Sequence, residues 1–284
     1  MIVNSKEIIL KAFKNGYAIP AINTQGGTYD IIMAICQAAE KLQSPIILAH
    51  YKKTGKYSGD DWFVQVAKWC ASKVNVPVAI HLDHGDSLET VVRCIKYGFT
   101  SIMYDGSELD IEENARNTNE IIRICHAVDI PVEAEVGALS PANLEENNTG
   151  AQNVVSVDEV KAFLSLCTPD TLALGIGNAH GFYKGKPCIR LDILEQCRSL
   201  SDIPIVLHGC TGIPDDVVKK AIKCGVAKIN FGTLVRHKYI DFYEEGIKSI
   251  DHQGHSWMVS AYANEKLQEV IKDIIYLSGS EGKA

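Results

Sequence analysis

Four of the nine histidines fall in three short polar segments: His81-Leu82-Asp83-His84, Asn178-Ala179-His180 and His208-Gly209-Cys210. Neutral imidazole is a common ligand of divalent transition metals. A set of three leaves the fourth position of a tetrahedral Zn²⁺ open, the arrangement of a catalytic rather than a structural ion. His84, His180 and His208 are the candidate ligands. An ion with an open position can accept a carbonyl oxygen and, as a Lewis acid, stabilise a developing enediolate. Asp83, beside His84, is placed to move a proton on a substrate held there. Together these are the parts of a carbon–carbon lyase. Glu135 and Asp105 offer further carboxylates, which can orient the imidazoles or contact the metal in one of its states.

Three glycine-bearing stretches accompany the histidines: residues 177–181, residues 208–212 and Asn230-Phe231-Gly232-Thr233. Glycine lets backbone approach a ligand closely, and exposed N–H groups beside the hydroxyls of Thr211 and Thr233 can cradle a phosphate. One histidine or one glycine turn alone is most simply a satisfied strand end or a structural turn. Their repetition argues for a site.

Something must bring these segments together. Short apolar runs bounded by turn signals predict eight strands: Tyr17–Ile22, Pro45–Ala49, Pro77–Ile80, Phe99–Tyr104, Ile130–Val136, Thr171–Ile176, Pro204–Leu207 and Val226–Ile229. Helical patterns lie between them, as in Ile31, Ile32, Ile35, Cys36 and Ala39, or Ile121, Ile122 and Cys125, or Val217, Val218, Ala221 and Ile222. Alternation with a period of roughly 30 residues predicts an α/β fold with a parallel sheet. Eight units without a Gly/Pro/Ser-rich linker predict one (β/α)8 TIM barrel domain over residues 1–284. Polar residues close the strands: Asn23, His50, the 81–84 run, Asp105, Glu133 with Glu135, Asn178 with His180, His208 and Asn230. In a parallel barrel those ends share one mouth, where active sites sit, and the loops after strands 7 and 8 are the usual phosphate site. Asn23 joins the candidate substrate-binding residues on this ground.

Composition narrows the partners. The net charge of -7 is spread along the chain without the basic stripe that nucleic acid requires. Residues 1–12 include Asn4, Lys6, Glu7 and Lys11, unlike a secretory leader, and no apolar run approaches the roughly 18 residues of a membrane span. The cytoplasm is the expected compartment, with neither nucleic acid nor membrane as partner. Nine cysteines without a C-x-x-C pair read as reduced, mostly buried thiols.

Seven segments carry a resemblance that runs nearly end to end. Tyr-Ala-Ile-Pro-Ala-Ile-Asn (17–23), His-Leu-Asp-His-Gly (81–85), Val-Glu-Ala-Glu-Val-Gly (132–137), Gly-Asn-Ala-His-Gly (177–181), His-Gly-Cys-Thr-Gly (208–212), Lys-Ile-Asn (228–230) and Gly-Ser-Glu-Gly-Lys-Ala (279–284) are similar to the class II, zinc-dependent fructose-bisphosphate and tagatose-bisphosphate aldolases. The resemblance implies reversible cleavage of a ketose 1,6-bisphosphate to dihydroxyacetone phosphate and an aldehyde such as glyceraldehyde 3-phosphate, through a zinc-stabilised enediolate. It implies that Asp83 exchanges the proton of the C4 hydroxyl, that His84, His180 and His208 hold zinc, that Glu135 belongs to the metal surroundings, and that Asp105 lies near the substrate hydroxyls. The backbone of Gly181, Gly209 and Thr211, with Lys184, Asn230 and Thr233, would hold the C1 phosphate, beside a monovalent cation (Na⁺ or K⁺). Homodimers or homotetramers are implied as well.

Departures concern the mobile loop and the far end of the substrate. The family's mobile loop usually carries Gly-Gly-x-Glu-Asp, where this chain has Ser140 to Glu146, so the loop base would be Glu145 or Glu146. The family's Asp-Pro-Arg aligns with His255-Ser256-Trp257, and a Ser or Thr after strand 2 is here Tyr51, next to His50. Arg236 stands at a position that one branch of the family uses for the distal phosphate. Two alternatives follow: a ketose 1-phosphate with another distal group, or a sugar-phosphate-binding barrel without turnover, which would have no need of Asp83. A zinc hydrolase of the amidohydrolase kind would need His-x-His after strand 1, where the chain has Ile22-Asn23-Thr24.

Overall fold

The computed structural model describes residues 1–138, 154–250 and 254–284. Its strands are β1 (Ile19–Asn23), β2 (Ile46–Tyr51), β3 (Val78–Gly85), β4 (Ser101–Tyr104), β5 (Val132–Val136), β6 (Thr171–Leu174), β7 (Ile205–Leu207) and β8 (Val226–Phe231). Each pairs in parallel with the next, and β8 pairs with β1, closing a barrel in chain order. Helix α1 (Ser5–Asn15) precedes the barrel. Then come α2 (Tyr29–Lys41) after β1, and α3 (Lys52–Ser58) with α4 (Asp60–Ala71) after β2. Strands β3 to β7 are followed in turn by α5 (Leu88–Tyr97), α6 (Ile111–His126), α7 (Val157–Leu166), α8 (Leu191–Arg198) and α9 (Asp215–Lys223), and β8 by α10 (Thr233–Ser249) and α11 (Ser256–Ser278). The expected (β/α)8 barrel is what the chain forms.

Strand residues alternate between two environments, as the pleat demands. Outward residues such as Ile46, Leu48, Val78, Ile80, Leu82, Val132, Ala134 and Val136 join the helices in the main apolar cluster. The apolar stripe read on α2 is there, with Ile31, Ile32, Ile35, Cys36 and Ala39 all buried. Inward positions are apolar at the N-terminal end and polar above it. At the N-terminal end of the barrel, Ile8, Ile9 and Ala12 of α1 pack against Ile19, Ala21, Ile47, Ala79 and Ala227, so α1 stops that end. Above this plug the interior turns polar, with buried His81, Ser101, Glu133, Thr171 and Lys228.

Several strand limits differ from expectation: β1, β4 and β5 begin two residues later and β6 ends two residues earlier. β3 runs on through His81-Leu82-Asp83-His84 and β8 takes in Asn230, because a polar residue facing the barrel interior does not read as strand. His50 requires a correction. It lies on the outward face of β2, fully buried, its ring stacked on Phe63 of α4 at 4.2 Å and its Nε2 3.1 Å from Asp60 Oδ1. It therefore has no access to a substrate. All nine cysteines are free, and all but Cys188 and Cys224 are buried. Among the described residues no helix is long and apolar enough to cross a membrane.

Phe63 is fully buried and touches both the His50 and Phe99 rings, the latter at 5.5 Å. Phe63→Ala is expected to cost about 3–5 kcal/mol of stability, the usual range for emptying such a site. Denaturant unfolding that shows a loss below about 1 kcal/mol would mean that α4 contributes little to holding β2 in place.

Candidate active site

Alternation along β3 sends Asp83 inward and should send His84 outward. It does not, because His84 adopts a left-handed backbone (φ 54°) and the β3–β4 register shifts between Leu82 and Gly85. A non-glycine residue there is strained, and a bulge re-aims its side chain. Both members of Asp83-His84 thus face the mouth. Gly85 allows the turn, since a Cβ on it would lie 2.6 Å from the Met103 carbonyl oxygen.

His84, His180 and His208 meet at this end, with ring centroids 4.9 Å apart for His84–His180 and His84–His208 and 6.2 Å for His180–His208. One nitrogen from each lies within 4.8 Å of the others, close enough to hold a metal ion. Hydrogen bonds decide which nitrogens are offered. His84 Nδ1 lies 2.7 Å from Asp105 Oδ2, so the buried Nε2, which has no partner among the described residues, points at the centre. His208 uses its Nε2 on Glu133 Oε1 at 2.8 Å, which leaves Nδ1. Glu135 is fully buried with neither oxygen hydrogen-bonded, its Oε2 3.6 Å from His84 Nδ1. His84, Asp105 and Glu135 also form a second overlapping group able to hold an ion.

The electrostatics of this corner favour a cation. Burial alone would lower the His84 pKa, yet the carboxylates of Asp83, Asp105 and Glu135 outweigh it and hold it at about 9. Burial pushes the Glu135 carboxyl well above its ordinary value, a cost that a bound cation would relieve. Burial, followed by the neighbouring His84 and His208, pushes His180 down to about 3, so its ring is neutral and free to ligate. The donor set of imidazoles and carboxylates, with orphaned acceptor atoms at its centre, fits a divalent cation.

Asp83 occupies the inner side of the cluster. Its Oδ1 lies 4.0 Å from both His84 Nε2 and His208 Nδ1, and receives Asn230 Nδ2 at 3.4 Å, while Asn23 Nδ2 reaches its Oδ2 at 3.5 Å. Burial would raise its pKa, and the positive surroundings of His84, His208 and Lys228 outweigh this and keep it below its ordinary value. It is thus poised as a carboxylate.

The glycine-bearing loops close one side of the mouth. Tyr183 ties two of them together, its hydroxyl accepting from the Ala179 N–H at 2.9 Å and donating to the Gly209 carbonyl at 3.2 Å. Gly209 (φ 65°) is obligatory, because a Cβ there would come within 2.3 Å of the Ala179 carbonyl oxygen. Thr211 Oγ1 accepts from the Leu234 N–H at 3.1 Å, joining the 208–212 loop to the N-terminus of α10, which begins at Thr233. Gly181, like Gly209, has positive φ. Lys184 and Arg236 are exposed, Arg236 in the first turn of α10. Tyr51 stands edge-on to the His84 ring at 6.0 Å. Glu145 and Glu146 lie outside the described residues. Sequence reasoning assigned no role to His81, Glu133 and Lys228, which are bonded to one another directly beneath His208. Glu133 sits well below the usual carboxylate range because Lys228 and His208 overcome its burial.

The model of the family described as fructose-bisphosphate aldolase class-II matches residues 3–283. A fructose-bisphosphate aldolase of Thermus caldophilus is 34% identical over 310 aligned residues, which cover 100% of both chains. The X-ray structure of the YdjI aldolase from Escherichia coli K12 superposes with a TM-score of 0.87 at 30% identity, over 100% of each chain. A fructose-bisphosphate aldolase from Campylobacter jejuni, at 22% identity, shares the fold with a TM-score of 0.82 over 100% of this chain and 97% of its own.

His208→Ala is expected to lower divalent-metal affinity by more than the roughly 10–100-fold that follows loss of an outer hydrogen-bond partner. Elemental analysis after gel filtration reads this directly. A variant that keeps its full metal content would remove His208 from the ligand set.

Proposed function

The chain belongs to the class-II fructose-bisphosphate aldolase family, and from that premise we propose that it reversibly cleaves a ketose 1,6-bisphosphate of the fructose or tagatose type between C3 and C4. The products are dihydroxyacetone phosphate and an aldehyde such as glyceraldehyde 3-phosphate. The reading rests above all on Asp83, whose Oδ1 lies 4.0 Å from each of two imidazole nitrogens that face a common point. Zn²⁺ held by His84, His180 and His208, with Glu135 within reach, would supply the Lewis acid that stabilises charge developing on the substrate oxygens.

The chain's own groups do the rest. Asp83 accepts the C4 hydroxyl proton as the C3–C4 bond breaks and returns it in the aldol direction. Asn23 and Asn230, which donate to Asp83, keep its carboxylate turned toward the substrate. Asp105 orients His84 and lies beside the substrate hydroxyls. The backbone of Gly181, Gly209 and Thr211, with Lys184, Asn230 and Thr233, binds the C1 phosphate, and a monovalent cation (Na⁺ or K⁺) would help to neutralise its charge. Glu145 or Glu146 exchanges the proton at the enolisable carbon. The protein works in the cytoplasm as a homodimer or homotetramer.

The distal end is where this chain departs. By the resemblance, counted back from the end of the chain, Trp257 falls at the arginine of the family's Asp-Pro-Arg, and an indole with one N–H cannot reproduce a guanidinium fork. With His50 buried, Arg236 on α10, Tyr51 beside His84 or a group from a neighbouring subunit is left to serve that end. A ketose 1-phosphate with another group at C6 is the second reading, supported by the same loss of arginine.

Asp83→Ala is expected to retain zinc and to lose about 10²–10⁴-fold in cleavage rate, the contribution of a positioned acid/base. A coupled assay for dihydroxyacetone phosphate measures it, and wild-type turnover in this variant would assign the proton transfer elsewhere. For the distal end, kcat/KM is compared for fructose 1,6-bisphosphate, tagatose 1,6-bisphosphate and fructose 1-phosphate. Arg236→Ala should weaken the bisphosphates by about 10–150-fold, as loss of one charged hydrogen bond does, and spare the monophosphate. A bisphosphate preference that survives Arg236→Ala intact would show that another group holds the distal phosphate.

A further inference from the structure

Lys228 is fully buried in the middle of the barrel. An ammonium has three N–H donors and no acceptor, so every hydrogen bond it makes dictates the state of its partner. It donates to Glu133 Oε2 at 2.7 Å and to His81 Nε2 at 3.0 Å. His81 must then keep a lone pair on Nε2 and carry its proton on Nδ1, which lies 2.7 Å from Ser101 Oγ. Ser101 Oγ in turn lies 2.7 Å from Ser5 Oγ on α1.

On its other side Glu133 meets the cluster at the mouth. Its Oε1 is 2.8 Å from His208 Nε2, and Thr171 Oγ1 donates to its Oε2 at 3.4 Å. A carboxylate only accepts, so the proton of His208 is on Nε2 and the lone pair on Nδ1. That lone pair is the one facing Asp83 and Asn230 Nδ2, the latter at 3.1 Å. His84 solves the same problem with the opposite nitrogen, through Asp105. The two ligand histidines are thus preset by different carboxylates, and the carboxylate behind His208 is anchored by a buried cation.

We propose that Lys228 and Glu133 are positioning residues of the metal centre: Lys228 anchors Glu133, and Glu133 holds His208 with its proton on Nε2, leaving Nδ1 to bind the ion. The inference rests on the reading of His208 as a zinc ligand. Outer partners of this kind fix tautomer and ring orientation, and their loss typically weakens metal binding about 10–100-fold.

The test uses Glu133→Gln, Lys228→Met and the double variant Lys228→Met/Glu133→Gln. Lys228→Met alone strands a buried carboxylate and is expected to unfold more easily, whereas the double variant leaves no unpaired buried charge. Zinc affinity is read by competition with a chromophoric chelator, which is independent of turnover. Glu133→Gln and the double variant should each bind zinc about 10–100-fold more weakly than the parent. Two-bond ¹H–¹⁵N spectra of histidine-labelled protein should show the His208 proton on Nε2 in the parent and no longer held there in the double variant. Folded variants with unchanged zinc affinity would overturn the inference, leaving the pair a role in stability alone. A parent spectrum with the His208 proton on Nδ1 would overturn it as well, even with zinc bound. Failure of the ligand reading shows separately, as full zinc retention by His208→Ala.

Discussion

A fully buried ammonium group sits at the centre of the barrel, and the polar interior is arranged to hold it. Removing one ion from water costs several kcal/mol even after the protein relaxes. Lys228 meets that cost with a carboxylate on β5 and an imidazole on β3, so it links three strands spaced around the barrel wall. The interior is therefore a doubtful source of net stability. The stabilising surface lies outside it, where outward strand residues meet α2, α4 and their counterparts in one continuous apolar layer. Each fully buried Val, Leu, Ile or Phe side chain there contributes roughly 1.5–3 kcal/mol. The barrel can carry charge inside because it is greased outside.

The same division explains the geometry at the mouth. A strand offers only every second residue to its inner face, yet the proposed proton acceptor and one candidate ligand are adjacent in sequence. The left-handed backbone at His84 resolves the conflict at a cost of order 1–3 kcal/mol. The Asp105 hydrogen bond and the contact of the His84 N–H with Met103 Sδ at 3.4 Å keep it there. Backbone strain thus coincides with a candidate ligand in one residue.

Much of this was legible in the sequence. The count and order of the strands follow from apolar runs, and the convergence of His84, His180 and His208 follows from parallel topology. Less legible were the strand ends, because Asp83 and Asn230 face inward from strand and read as loop. His50 was misread as a rim residue because β2 alternates, and nothing local distinguishes its outward face from an exposed one. Lys228 and Glu133 stand in segments the sequence singles out, yet their pairing is hidden for a deeper reason. A lysine or glutamate in a strand is ordinarily taken for a solvated side chain, and its burial becomes visible only once the partner, 95 residues away, is placed opposite it.

The helical plug has a bearing on how the chain reaches this state. Ile8 and Ile9 of α1 dock on a floor made of Ile19, Ala21, Ile47 and Ala79 together with Ala227 from the last strand. The earliest helix in the chain thus has a binding surface completed by the latest strand. During synthesis from the N-terminus that floor stays incomplete until more than two hundred residues have been added. Completing that floor and closing the barrel both need β8 against β1, a contact of high sequence separation and so of a slow kind. The interval before it is the period in which a nascent chain most needs shielding from its neighbours.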